Sequence, residues 1–232
     1  MSNKTKGSPM TTIARDFGNN RCGWRIIVSA VILIIASTLA FMPSRAQAQD
    51  FTSITALQQL TVSATTGEKP QSKVWTNGGY WWMVMPNSTG TKLWRLDGTA
   101  WTSVLNLSSS TSSHADVKVA GNVTHILLFE GTSSALVSVE FVPTTHTYQF
   151  WTTRSANVAI ALDGAAETAT IDIDSNGRMW LASTASLNVN VRWSDSPYST
   201  WSAPITIASG ITSDDISDIV AFNGNIGILW SN

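Results

Sequence analysis

A glycine-centred turn between two apolar runs recurs four times along this chain, and it constrains the fold more than any other feature. Asn77-Gly78 precedes Gly79-Tyr80-Trp81-Trp82-Met83-Val84. Ala120-Gly121 precedes Asn122-Val123-Thr124-His125-Ile126-Leu127-Leu128. Asn176-Gly177 precedes Arg178-Met179-Trp180-Leu181, and Asn223-Gly224 precedes Asn225-Ile226-Gly227-Ile228-Leu229-Trp230. Asn-Gly between apolar runs is a strong hairpin signal, because a type I′ turn needs positive φ at both central residues.

The turn glycines are spaced by 43, 56 and 47 residues. Periods of roughly 40–50 residues with about four strands per unit belong to β-propeller blades. The expected fold class is therefore all-β, a β-propeller of four-stranded antiparallel blades. The first unit predicts strands over 73–76, 80–85, 92–96 and 101–107. The second predicts 117–120, 123–129, 136–142 and 146–151. The third predicts 170–173, 178–182, 188–193 and 200–207. Blades are expected at 72–107, 115–152, 169–207 and 217–232, the last with two strands only. Phe51-Thr52-Ser53-Ile54 resembles the Trp101 and Trp201 segments that open fourth strands, and is expected as an orphan fourth strand closing a last blade. Three whole blades, half a fourth and one donated strand predict the N-terminal part of a larger ring. A closed four-bladed ring is the alternative. No stretch after the leader carries a 3.6-residue apolar period.

Composition agrees. Charged residues make up 12% of the chain, about half the usual share of roughly 25%. Ser, Thr, Asn and Gly replace them, a mix that suits strands and turns. The net charge of −1 hides an asymmetry: residues 1–48 hold six basic residues and one acidic, and the remainder holds eight basic and fourteen acidic. A mildly acidic body without a basic cluster excludes phosphate-driven nucleic-acid binding. Cys22 is the single cysteine. The body therefore has neither disulfides nor Cys-ligated metal, and core burial must hold it together.

Residues 1–48 read as a secretory signal peptide. Arg15, Arg21 and Arg25 precede the apolar run Ile26 to Phe41, and Ala46-Gln47-Ala48 supplies a small-x-small site with cleavage expected after Ala48. The run is 16 residues long, short of the roughly 20 that span a bilayer. The protein is expected to be secreted or held at the cell surface, with the membrane touched only through the leader if it is uncleaved. Residues 49–232 form the expected propeller segment.

Trp193-Ser194-Asp195-Ser196-Pro197-Tyr198-Ser199-Thr200-Trp201 resembles the Asp-box of sialidase-like propellers, Ser-x-Asp-x-Gly-x-Thr-Trp. It differs in lacking the glycine and in carrying one extra residue between Asp195 and Trp201. Arg95-Leu96-Asp97-Gly98-Thr99-Ala100-Trp101 is a shortened echo. The resemblance implies a turn between the third and fourth strands, away from catalysis. The family's arginine triad, its Arg-Ile-Pro and its Tyr–Glu pair map onto no positions of this sequence, so no catalytic residue is assigned.

Asp172-x-Asp174-x-Asn176-Gly177 resembles the opening of a calcium loop. Position twelve of that loop would be Ser183 rather than Glu, so it reads as a hairpin turn. His114, His125 and His146 show no metal-ligand spacing, and Gly-x-Ser-x-Gly is absent. Neither cofactor nor metal is expected. The ten tryptophans beyond the leader read as packing between blades, with sugar stacking as the alternative. Asp116, Asp172 and Asp218, near the starts of first strands, are the candidate binding residues. Their other role would be to cap loops through bonds to backbone. The expected function is an exported non-catalytic module that binds a glycan or a cell-surface protein. The alternatives are a sialidase-like glycoside hydrolase or lyase with part of its site further along the chain, and a structural spacer. The isolated chain is expected to self-associate.

Overall fold

The structure, a computed structural model, describes residues 53–67, 69 and 71–231. The leader and its cleavage site lie outside the described residues. The chain divides after Ile54. Ser53 and Ile54 belong to the first unit and lie in no strand. The fold described below is that of the second unit.

That unit is all-β and made of consecutive antiparallel meanders. The first sheet comprises β1 (Val74–Asn77), β2 (Tyr80–Asn87), β3 (Gly90–Asp97) and β4 (Ala100–Ser108). The second holds β5 (His114–Ala120), β6 (Val123–Phe129), β7 (Ser134–Val142) and β8 (Thr147–Phe150), with β9 (Val158–Ile160) also paired to β7. The third is β10 (Ala169–Ile173), β11 (Met179–Ala185), β12 (Asn188–Ser194) and β13 (Ile205–Ser209). The fourth is the two-stranded pair β14 (Ser217–Phe222) and β15 (Asn225–Trp230). Among the described residues the helical structure is one 3₁₀ turn, Gly131–Ser133.

The side-chain period of two sorts residues between sheets. In β6, Ile126 and Leu128 pack towards the first sheet, in a cluster with Trp82, Val84, Leu93, Val139 and Phe141. Leu127 and Phe129 point the other way, into a cluster with Ile171, Met179 and Leu181 of the third sheet. The second sheet is thus covered on both faces, which explains the unbroken apolar run Ile126-Leu127-Leu128-Phe129. A smaller cluster of Ala182, Val191 and Ile219 joins the third sheet to the fourth.

Aromatic residues dominate the first of these interfaces. Tyr148 packs edge-on against Trp82 with ring centroids 4.7 Å apart, and against Phe141 at 5.3 Å. The indole of Trp75 and the amide of Asn77 both donate to its hydroxyl, at 3.0 and 2.9 Å. Trp75 and Trp82 therefore pack between sheets, the role expected of the recurrent tryptophans.

Several local expectations are corrected. Asn77 pairs with Tyr80, so the first hairpin turns on Gly78-Gly79, both at positive φ, rather than on Asn77-Gly78. Residues 53–57 form no strand, and Phe51 and Thr52 lie outside the described residues. Trp201 does not open a strand: β13 begins at Ile205, directly after Pro204, which has no amide to give a ladder. The three-residue β9 was not expected, being too short to leave a periodic signal.

Candidate functional site

The three aspartates named from sequence lie on the first strands of successive sheets. Asp116 on β5 is almost wholly buried. The amide of Ser72 donates to its Oδ1 at 2.7 Å and that of Ile171 to its Oδ2 at 2.8 Å. Asp172 on β10 accepts the amides of Ile173 and Ala221, both at 2.7 Å, and pairs with Lys118. Asp218 on β14 accepts the amide of Ile219 at 2.9 Å. Asp116 thus ties the segment leading into β1 to β10, and Asp172 ties β10 to β14.

Burial pushes the Asp116 carboxyl up to about 6. The nearby charge of Asp218 adds to the rise, while the donated amides of Ile171, Ser72 and Val117 oppose it. Lys73, which precedes β1, is shifted down by burial against the favourable charge of Asp116. The structure therefore brings Lys73 and Asp218 each within electrostatic reach of Asp116. Asp174 is occupied by its own turn. It accepts the amides of Asn176 and Arg178 at 2.8 and 3.0 Å and the indole of Trp180 at 2.9 Å. Among the described residues no cluster of three or more His, Cys, Asp or Glu is arranged to hold a metal ion.

A concave site that the sequence reading did not name lies at the connection from β12 to β13. It is a cleft of about 400 Å³. Trp193, Pro197 and Trp201 form its apolar walls, and Asp195, Ser199 and Thr200 supply polar groups. These residues belong to the segment that resembles the Asp-box, and the segment does connect the third and fourth strands of its sheet.

The connection is tightly held. The Ser194 hydroxyl donates to Thr200 O at 2.6 Å, and the Tyr198 amide to Asp195 O at 2.7 Å. The Ser202 amide donates to Trp193 O at 2.9 Å, and its hydroxyl accepts the Trp193 amide at 3.1 Å. The Ser196–Pro197 peptide is cis, and Tyr198 sits at φ 61. The Tyr198 ring is buried beneath the turn, and its hydroxyl donates to Gly177 O at 2.8 Å.

Arg178 fixes the wall of the cleft. Its guanidinium donates to both oxygens of Asp195, at 2.7 and 3.0 Å, and lies 3.9 Å from the Trp193 ring centroid. The pair holds the Asp195 carboxyl below the usual carboxylate range. On the inner side, buried Arg154 donates to Pro197 O at 2.8 Å, to Ala156 O at 2.6 Å and to the Ser138 hydroxyl. His125 shares that hydroxyl at 2.8 Å and stands edge-on to Tyr198 and Trp151, 4.9 and 5.5 Å away. Burial, with the Arg154 charge, lowers His125 to about 4, so it is neutral near pH 7.

The chain matches no protein-family model and no curated protein.

Proposed function

We propose that this chain is a run of β-propeller blades, exported and used to bind a glycan without turning it over. The carrying observation is the hydrogen-bonded, tryptophan-walled cleft between β12 and β13. Aromatic walls with a few fixed polar groups are the usual make-up of a small-ligand site. Cleavage of a glycosidic bond by the common routes needs two carboxyl groups roughly 5–10 Å apart. Among the described residues Asp195 is the one carboxylate lining the cleft, and Arg178 holds both of its oxygens. That weighs towards binding and against a hydrolase.

The propeller reading is supported by the order of contacts between sheets. Asp116 on the second sheet receives amides from the lead-in to the first sheet and from the third, and Asp172 on the third receives one from the fourth. First strands of successive meanders lying side by side is the relation that inner strands of neighbouring blades have. Export rests on the basic, apolar and Ala-x-Ala order of residues 1–48.

The test is a glycan array probed with the full chain, paired with a fluorogenic sialoside assay. Retention of a defined glycan class without turnover is expected. Release of the fluorophore above the buffer rate would replace this reading with the hydrolase.

A further inference from the structure

We infer that the cleft between β12 and β13 is a subsite for an uncharged pyranose ring, and that it does not accept sialic or uronic acids. This rests on the glycan-binding reading above and adds to it the place and the chemical class of the ligand.

The volume of about 400 Å³ lies within the roughly 300–1,000 Å³ typical of small-ligand sites. Trp193 and Trp201 offer apolar ring surface to the C–H face of a sugar. Ser199 and Thr200 are exposed on the rim, and hydroxyls of this kind both donate to and accept from sugar hydroxyls.

Charge decides the class. Among the described residues none of the side chains lining the cleft is cationic. Arg178 borders the cleft and is engaged with both oxygens of Asp195 and one face of Trp193, and Arg154 behind it is engaged with Pro197 O, Ala156 O and the Ser138 hydroxyl. A ligand carboxylate would meet Asp195, already paired with Arg178, and no further cation among the described lining side chains, so it would give up water without gaining a partner. A neutral ring meets no such penalty, and Asp195 keeps lone pairs for a sugar hydroxyl after its bonds to Arg178. The backbone bonds across the turn and the Arg154 anchor on Pro197 fix these groups before any ligand arrives. That lowers the ordering cost of binding.

The probes are maltohexaose, cellohexaose, xylohexaose, mannohexaose and chitohexaose, with sialyllactose and oligogalacturonate as the charged comparison. Each is titrated into the full chain by calorimetry. At least one neutral oligosaccharide should bind, and the charged pair should not. Trp193→Ala should weaken that binding by about 10-fold or more, the scale of one lost aromatic contact of about 1.4 kcal/mol. Ser199→Tyr leaves both tryptophans and the Arg154 and Arg178 anchors in place but replaces a rim hydroxyl with a bulky ring, and it should weaken binding as much even if Trp193→Ala fails to fold. Trp81→Ala, on the half-exposed Trp of the first sheet, should leave binding within about 2-fold.

Preferred binding of sialyllactose or oligogalacturonate would overturn the class. Neutral-sugar binding that survives Ser199→Tyr would overturn the place while leaving the glycan-binding reading standing. Failure of every probe to bind would remove both.

Discussion

The carboxylate of Asp116 on β5 holds the backbone amide of Ile171 on β10 at 2.8 Å. Its other oxygen takes the amide of Ser72, ahead of β1, at 2.7 Å. One side chain therefore satisfies a backbone donor of the third sheet and one in the segment that leads into the first. A buried donor left without a partner costs about 1–3 kcal/mol. Asp116→Ala should destabilise the fold by about 2–4 kcal/mol, read from chemical denaturation. Asp116→Asn keeps one acceptor and should cost roughly half as much. A loss below about 0.5 kcal/mol for Asp116→Ala, the level of an ordinary surface change, would show that the tie is not structural.

Two buried groups make opposite demands on pH. Asp116 titrates at about 6 in the fold, so between about pH 4 and 6 the folded chain holds a proton that the unfolded chain has released. Its contribution is full below about pH 4 and is lost as pH rises through 6. His125 titrates at about 4 in the fold. Between that value and about 6.5 the unfolded chain carries a proton that the folded chain refuses, so this contribution is full above the window and lost as pH falls. The two slopes oppose each other across most of the same range. Wild-type stability should therefore change less with pH there than that of a variant lacking either group. Asp116→Asn should make stability rise with pH from about 4 to 6.5, and His125→Gln should make it fall. Urea melts at several pH values check this, and unchanged slopes in both variants would contradict it.

Much of the fold was legible because hairpins and burial leave local marks. Asn223-Gly224 turns as expected, with φ of 48° and 75° and Phe222 facing Asn225. The apolar run of β6 was readable as a strand, and its division between two neighbouring sheets follows from the period of two. β13 starts later than the Trp201 pattern predicts, because Pro204 has no amide to give the ladder. The cleft was not legible. Trp193 and Trp201 share it only because Ser194, Asp195 and Ser202 fold the intervening turn back on itself. Those are bonds between particular atoms, and residue types in order do not specify them. The aspartates show the reverse case. Their positions were visible, but their bonds to Ser72, Ile171 and Ala221 depend on which sheets become neighbours.

Gly78 and Gly224 occupy comparable hairpins but should not tolerate alanine equally. Both have positive φ, 57° and 75°, which costs a non-glycine residue roughly 1–2 kcal/mol. At Gly224 a methyl group would meet nothing within 4 Å. At Gly78 it would be driven into the ring of Phe141, which packs beneath the turn from the second sheet. Overpacking adds about 1–3 kcal/mol. Gly78→Ala should therefore lose more stability than Gly224→Ala by at least about 1 kcal/mol. Equal melting temperatures for the two variants would mean that Phe141 moves aside freely.

The fourth sheet should make the chain self-associate. β15 runs Asn225-Ile226-Gly227-Ile228-Leu229-Trp230 without charge or proline, and among the described residues it pairs only with β14. Edges are normally kept apart by charge, proline or cover. Beside this edge Leu229 is 76% exposed, and Val220, Phe222 and Trp230 are also exposed. The fourth sheet's apolar seat on the third is also the smallest of the three clusters. Its apolar cluster with the third sheet holds three buried residues, and Thr168, Thr184 and Ser217 are buried polar groups around the same junction. Light scattering after size exclusion should show mass rising with concentration. Leu229→Lys and Val220→Lys place charge on exposed positions, so each should change stability by no more than about 0.5 kcal/mol. The double variant should shift the protein towards monomer. A wild-type chain that stays monomeric at high concentration with one sharp cooperative melt would show that this edge is covered in solution.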